Sequence, residues 1–79
     1  MKASVTVTLK RGVLDPQGKA IENALRSLGL VGIDSVRQGK IFEIELTDLD
    51  RPRAEATLRQ ACEQLLANTV IENYRVEIG

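Results

Sequence analysis

Apolar and polar positions alternate one by one from Lys2 to Lys10. Ala3, Val5, Val7 and Leu9 face one way, and Ser4, Thr6, Thr8 and Lys10 the other. A two-residue period rich in β-branched side chains predicts a half-buried strand. From Pro16 the period changes. Ala20, Ile21, Ala24, Leu25 and Leu28 fall on one stripe of a helix reaching Leu28, with Glu22 and Arg26 spaced to pair on the wet face. Val31 to Gln38 predicts a second strand, with Gly32 at its start. Gln38-Gly39 predicts a tight turn into a third strand, Lys40 to Leu46, with Phe42, Ile44 and Leu46 inward and Ile41, Glu43 and Glu45 outward. A second helix starts near Arg51-Pro52 and buries Ala54, Leu58, Ala61 and Leu65, together with Cys62 or Leu66. Arg51, Glu55, Arg59 and Glu63 run along its other side at i,i+4 spacing. The last strand, Asn73 to Ile78, turns Tyr74, Val76 and Ile78 inward and Asn73, Arg75 and Glu77 outward.

The breaks between these runs carry their own chemistry. Proline suits the first helical position, where its missing N–H has no partner in any case. Pro16 pushes Asp15 into the extended geometry of an N-cap, whose carboxylate accepts from the free N–H groups of the first turn. Asp50 before Arg51-Pro52 repeats the device. Gly29 fits the left-handed residue that ends a helix, and Asn68 is assigned the same role after the second helix. Gly18, in a first turn, has no local reason to be glycine. It implies that another backbone or another protein comes close.

The element order is β-α-β-β-α-β, an α+β ferredoxin-like domain with two helices on one face of an antiparallel sheet. Exchange of strands within an oligomer is left open by this pattern. Residues 1–79 form one domain, small enough for partners to supply missing burial. Its 43% hydrophobic and 28% charged residues argue for a globular domain rather than disorder. Eleven basic residues balance eleven acidic ones, which removes any general attraction to nucleic acid or an anionic membrane. No apolar run approaches a membrane span or a signal-peptide core, and a cytoplasmic location is the default expectation.

Candidate chemistry is sparse. The chain has no histidine and a single cysteine, so the commonest general base is missing, as are a disulfide and a two-cysteine metal motif. Cys62, on an amphipathic helix, reads as a small buried hydrophobe, and Tyr74 as a core residue with a wet hydroxyl. Glu43 and Glu45 could form a carboxylate pair. Solvation, or matching by Arg75 or Arg37, explains them better. Lys10-Arg11-Gly12 before a helix start is compatible with phosphate, but Asp15 already serves the same N–H groups and repels an anion. Arg37-Gln38-Gly39-Lys40 suits a solvated hairpin tip or a docking knob equally well. With Phe42 and Tyr74 as the only aromatics, an RNA-binding module is disfavoured.

Three blocks, LKRGVLDPQGKAIENAL at 9–25, VRQGK at 36–40 and LLANTVIENY at 65–74, together resemble the PurS family. That family is the small subunit of phosphoribosylformylglycinamidine (FGAM) synthase, of de novo purine biosynthesis. The resemblance covers essentially the whole chain and departs at Thr69, where the family usually has proline. It implies a non-catalytic subunit joining a synthetase subunit (PurL) and a glutaminase subunit (PurQ). The complex converts formylglycinamide ribonucleotide to formylglycinamidine ribonucleotide, using glutamine and ATP with Mg, while this chain binds no cofactor or metal and has no catalytic residue. A homodimer or tetramer is expected. The candidate docking residues are Arg11, Gly12, Asp15, Gln17 and Gly18 of the first corner, and Arg37, Gly39 and Lys40 of the second. The alternative is a free-standing ferredoxin-like module that binds a small metabolite between protomers.

Overall fold

A computed structural model describes residues 1–79. Strand β1 (Lys2–Leu9) lies at the centre of a three-stranded antiparallel sheet. Strand β2 (Gly39–Glu45) pairs on one side of it and β3 (Glu72–Ile78) on the other. Helix α1 spans Pro16–Ser27 and α2 spans Arg51–Ala61, and α2 continues into one π-helical turn, Cys62–Leu66. The register sets Val5 opposite both Phe42 and Val76, and Val7 opposite both Lys40 and Tyr74. The alternation in the sequence thus becomes an inner and an outer face.

The core lies between β1 and α2. Val5, Val7, Leu58 and Cys62 are almost wholly buried, joined by Ala3 and Ala67 and flanked by half-buried Phe42, Ile44, Leu46, Tyr74 and Val76. Both predicted caps form: Asp15 accepts from the Gly18 N–H and Asp50 from the Arg53 N–H, each at 2.9 Å. Gly29 (φ 83°) ends α1 as expected, with Leu30 donating to Leu25 and Gly29 to Arg26. Asn68 does not adopt the left-handed geometry. The only non-glycine residue with positive φ is Asp48, and the chain leaves the second helix through the π turn instead.

That π turn corrects the predicted core. Seven residues beyond Leu58 an α-helix has rotated about 700°, which would stack Leu65 over Leu58 on the buried face. The Ala67 N–H instead reaches back five residues to the Cys62 carbonyl. The wider turn delays the rotation, so Leu66 packs against the core and Leu65 is 82% exposed.

The α+β class, the antiparallel sheet and both helices are present, and two elements of the ferredoxin-like expectation sit differently. Val31–Gln38 joins no sheet, and no hairpin closes at Gln38-Gly39. A two-residue hairpin needs positive φ in its turn, and Gly39 is not among the positive-φ glycines, which are Gly29 and Gly32. The chain runs on from residue 38 into β2 without folding back. Helix α1 therefore does not lie on the sheet, and α2, packed toward β3, alone covers the inner face. The molecule measures 50 × 25 × 15 Å, with a radius of gyration of 16.0 Å, against about 12 Å for a compact chain of this length.

Candidate docking site

Residues of both candidate stretches meet at one end of the sheet, where β1 finishes and β2 and β3 begin. Asp15 joins them. Its carboxylate accepts from Gly18 N–H on one oxygen and from Gln38 N–H, at 2.8 Å, on the other. Arg37 completes the join by donating to the carbonyls of Lys10 (2.9 Å) and Leu9 (3.5 Å). These two backbone donors, with Arg37 close by, hold the Asp15 carboxyl below its ordinary value against the opposing effect of burial.

Both glycines are explained by this chain's own backbone. A Cβ on Gly18 would stand 2.3 Å from the Val36 carbonyl oxygen and 2.9 Å from the Asp15 carboxylate. One on Gly39 would stand 2.6 Å from the Val7 carbonyl oxygen. Asp15 and Gly18 are buried and shape the corner from within, whereas Arg11, Gly12, Gln17, Arg37, Gly39 and Lys40 are exposed on its surface. Lys40 lies 5.7 Å from the centre of the Phe42 ring. A shallow open hollow of about 240 Å³ runs between Leu9, Asp15, Gln17, Lys40 and Glu72.

The turn before β3 closes the same end. Asn68 donates its N–H to Glu72 and accepts from the N–H groups of Val70, Ile71 and Glu72, while Lys10 donates to Ile71. The N–H of Thr69 takes part in none of these bonds, so the turn loses no hydrogen bond whether threonine or proline stands there. Val70 is held outward, 81% exposed. Sequence reasoning missed the exposure of Leu65 and Val70, as it did that of Ile21 and Leu28 on the predicted stripe of α1. Leu65 was hidden by its helical period, and nothing in the local pattern distinguishes Val70.

The remaining ionisable groups are spread out. Glu22, placed on the wet face by its spacing, is buried and held by Lys19 (3.7 Å) and Arg26 (3.4 Å). Arg75 pairs with Glu77 on its own strand rather than with Glu43 or Glu45, because β3 and β2 are separated by β1. Cys62 is fully buried, and burial pushes its thiol up. No three His, Cys, Asp or Glu residues converge as metal ligands, and no helix is long and apolar enough to cross a membrane.

A small α+β chain with an ordered, hydrogen-bonded corner and much uncovered apolar surface is built as an assembly domain. The comparisons give it a family. The family model described as phosphoribosylformylglycinamidine (FGAM) synthase matches residues 2–79, and the chain belongs to this PurS family. It is 46% identical over 77 residues to the phosphoribosylformylglycinamidine synthase subunit PurS of Bacillus subtilis, covering 98% of this chain and 90% of that one. Among solved structures it is similar to PurS of Methanocaldococcus jannaschii, with a TM-score of 0.87 and 34% identity over 96% of this chain and 92% of that one. A chain in the structure of PurLQS from Thermotoga maritima matches with a TM-score of 0.89 and 33% identity, covering 96% of this chain and 93% of that one.

Proposed function

We propose that this chain is the small, non-catalytic subunit of FGAM synthase, working in the cytoplasm as a bridge between the synthetase and glutaminase subunits. The observation that carries this reading is the match to a chain of the PurLQS structure, end to end and at nearly equal length. The complex makes formylglycinamidine ribonucleotide from formylglycinamide ribonucleotide, with ATP and Mg at the synthetase and nitrogen released from glutamine at the glutaminase. This chain contributes proximity. When one small body holds both enzymes, each needs only weak affinity for the other, because tethering raises their effective concentration. The exposed cations Arg11, Arg37 and Lys40 and the neighbouring Gln17 are the docking groups, on a corner made rigid by Asp15. Near-complete coverage of dedicated subunits of one enzyme favours this reading over a free-standing metabolite sensor.

The test is an assay of FGAM formation with each nitrogen donor, at fixed amounts of the other two subunits. Omitting the chain should collapse glutamine-dependent activity and spare activity with concentrated ammonia. Unchanged glutamine-dependent activity would end the bridging role. Lys40→Glu should give a partial form of the same defect while the melting temperature stays close to that of the parent, whereas Arg37→Glu, which also removes the bonds to Lys10 and Leu9, should lower it.

A further inference from the structure

The backbone of Lys10 ties three stretches of the chain together at the end of the sheet. Its N–H donates to the Ile71 carbonyl, and its own carbonyl accepts from the Val13 N–H and from Arg37. Two large apolar side chains stand one residue away from these ties and are left uncovered by them. Leu14, next to Val13, is 76% exposed, and Val70, next to Ile71, is 81% exposed. Both are held in place. Asp15, the residue after Leu14, accepts from two amides, and the Val70 N–H donates to the Asn68 side chain. A single exposed valine or leucine on a protein surface is ordinary. Two of them on one hydrogen-bonded tip differ, because little freedom remains to be lost when a partner covers them.

The charges around this tip are sorted by sign. Arg11 and Lys40 are exposed and enter no salt bridge, and Arg37 bonds only to neutral carbonyls. The two carboxylates at this end are engaged within the chain, Asp15 by the Gly18 and Gln38 amides and Glu72 by the Asn68 amide. The register carries the other acids of the sheet to the far end, with Glu45 opposite Lys2, and Glu43 and Glu77 opposite Ser4. In a chain with no net charge, this leaves the tip basic. We propose that Leu14 and Val70 are the apolar anchors of the docking corner, seated in an apolar socket bordered by carboxylates on one enzyme subunit of FGAM synthase. Both anchors are tied to the same residue, so a single partner surface covers them together. The cations steer and orient the encounter, and the two aliphatic side chains set how long it lasts. The inference rests on the FGAM synthase reading and adds this division of labour to it. A membrane surface fits the tip less well, because two aliphatic side chains bury too little apolar area for stable attachment.

The experiment measures binding of the full chain to the purified synthetase and glutaminase subunits. It also measures the chain concentration that half-saturates glutamine-dependent FGAM formation. Val70→Asp and Leu14→Asp should each raise that concentration about a hundredfold, because a carboxylate must enter an apolar socket already bordered by carboxylates. Both should weaken binding to the same subunit and spare the other. Val70→Ile should stay within about twofold of the parent, and Val70→Ser should cost about tenfold. Added salt should slow association of the parent, and Arg11→Glu should slow it likewise, with little change in the dissociation rate. Melting temperatures and native masses of the variants should match the parent. If an aspartate variant melts early, Val70→Ser and Leu14→Ser take its place. A parent that binds an enzyme subunit through Val70 yet confers no glutamine-dependent activity ends the bridging role and upholds the anchor. A folded Val70→Asp chain with the parent's binding and half-saturation overturns the anchor while bridging stands. The anchor is overturned equally by losses divided between the two subunits, by a loss traced to altered self-association, or by Val70-dependent binding to phosphatidylserine vesicles in place of either subunit. A parent that binds neither subunit overturns both readings.

Discussion

Asp15 shows how much one side chain can organise. Its two oxygens hold α1 and the strand leading into β2, so the corner depends on the carboxylate being charged. Because its folded value is lowered, this contribution is complete above the ordinary carboxylate value of 3.8 and is lost as the pH falls below it. Amide exchange at Gln38, corrected for intrinsic rates, should accelerate on acidification through that range. Asp15→Asn should produce the same loss at neutral pH, since its NH₂ group opposes one of the two donors. Gly18→Ala should loosen the corner by another route, through the clash with the Val36 carbonyl, and lower the melting temperature. Cys62 makes the opposite case. Buried, with its thiol pushed up, it should resist iodoacetamide until the domain unfolds, and labelling of the native chain at the rate of a free thiol would contradict its placement.

At the scale of elements, α2 supplies most of the core. Leu58 is 1% exposed between Val5 and Val7 of β1 and Cys62, so Leu58→Ala should cost about 3 kcal/mol in a denaturant titration. Asp50→Ala, which removes only the cap, should cost about 1 kcal/mol. Strands β1, β2 and β3, both helix starts and both N-caps were legible in the sequence because each depends on neighbours within a few residues. Asp15, Pro16 and Gly29 needed no tertiary information. The π turn was not legible. Up to Leu58 the period is that of an ordinary helix, and the shift that replaces Leu65 by Leu66 reflects a preference of the whole core.

The whole molecule is an extended body rather than a ball, and its uncovered apolar surface belongs to that shape. A domain of this size has few spare contacts, and keeping the α1 stripe and the β2 face apart within one chain leaves burial to be completed by association. The elongation is shared with the solved relatives, whose TM-scores of 0.87 and 0.89 span nearly the whole chain. If the subunit acts by bridging, dilution below its dissociation constant for the other two subunits should lower glutamine-dependent activity at constant enzyme ratio and leave ammonia-dependent activity unchanged. An activity assay across a dilution series reads this directly.

The sequence by itself determined what local chemistry controls. It specified the stretches of β1, β2, β3 and the two helices, which face of β1 turns inward, where α1 and α2 begin, and, through its three blocks, the family. It also marked Arg11–Gly18 and Arg37–Lys40 as special. Only the tertiary structure decided that these stretches meet through Asp15, and that Gly18 and Gly39 make room for this chain's own carbonyls. It also decided that Val31–Gln38 runs on into β2 instead of folding back. The physical reason is that a hairpin and an open arm satisfy the same alternation of apolar and polar residues. The choice between them rests on two φ angles and one long-range hydrogen bond, from Gln38 to Asp15 across 23 residues, and no periodicity records such a bond.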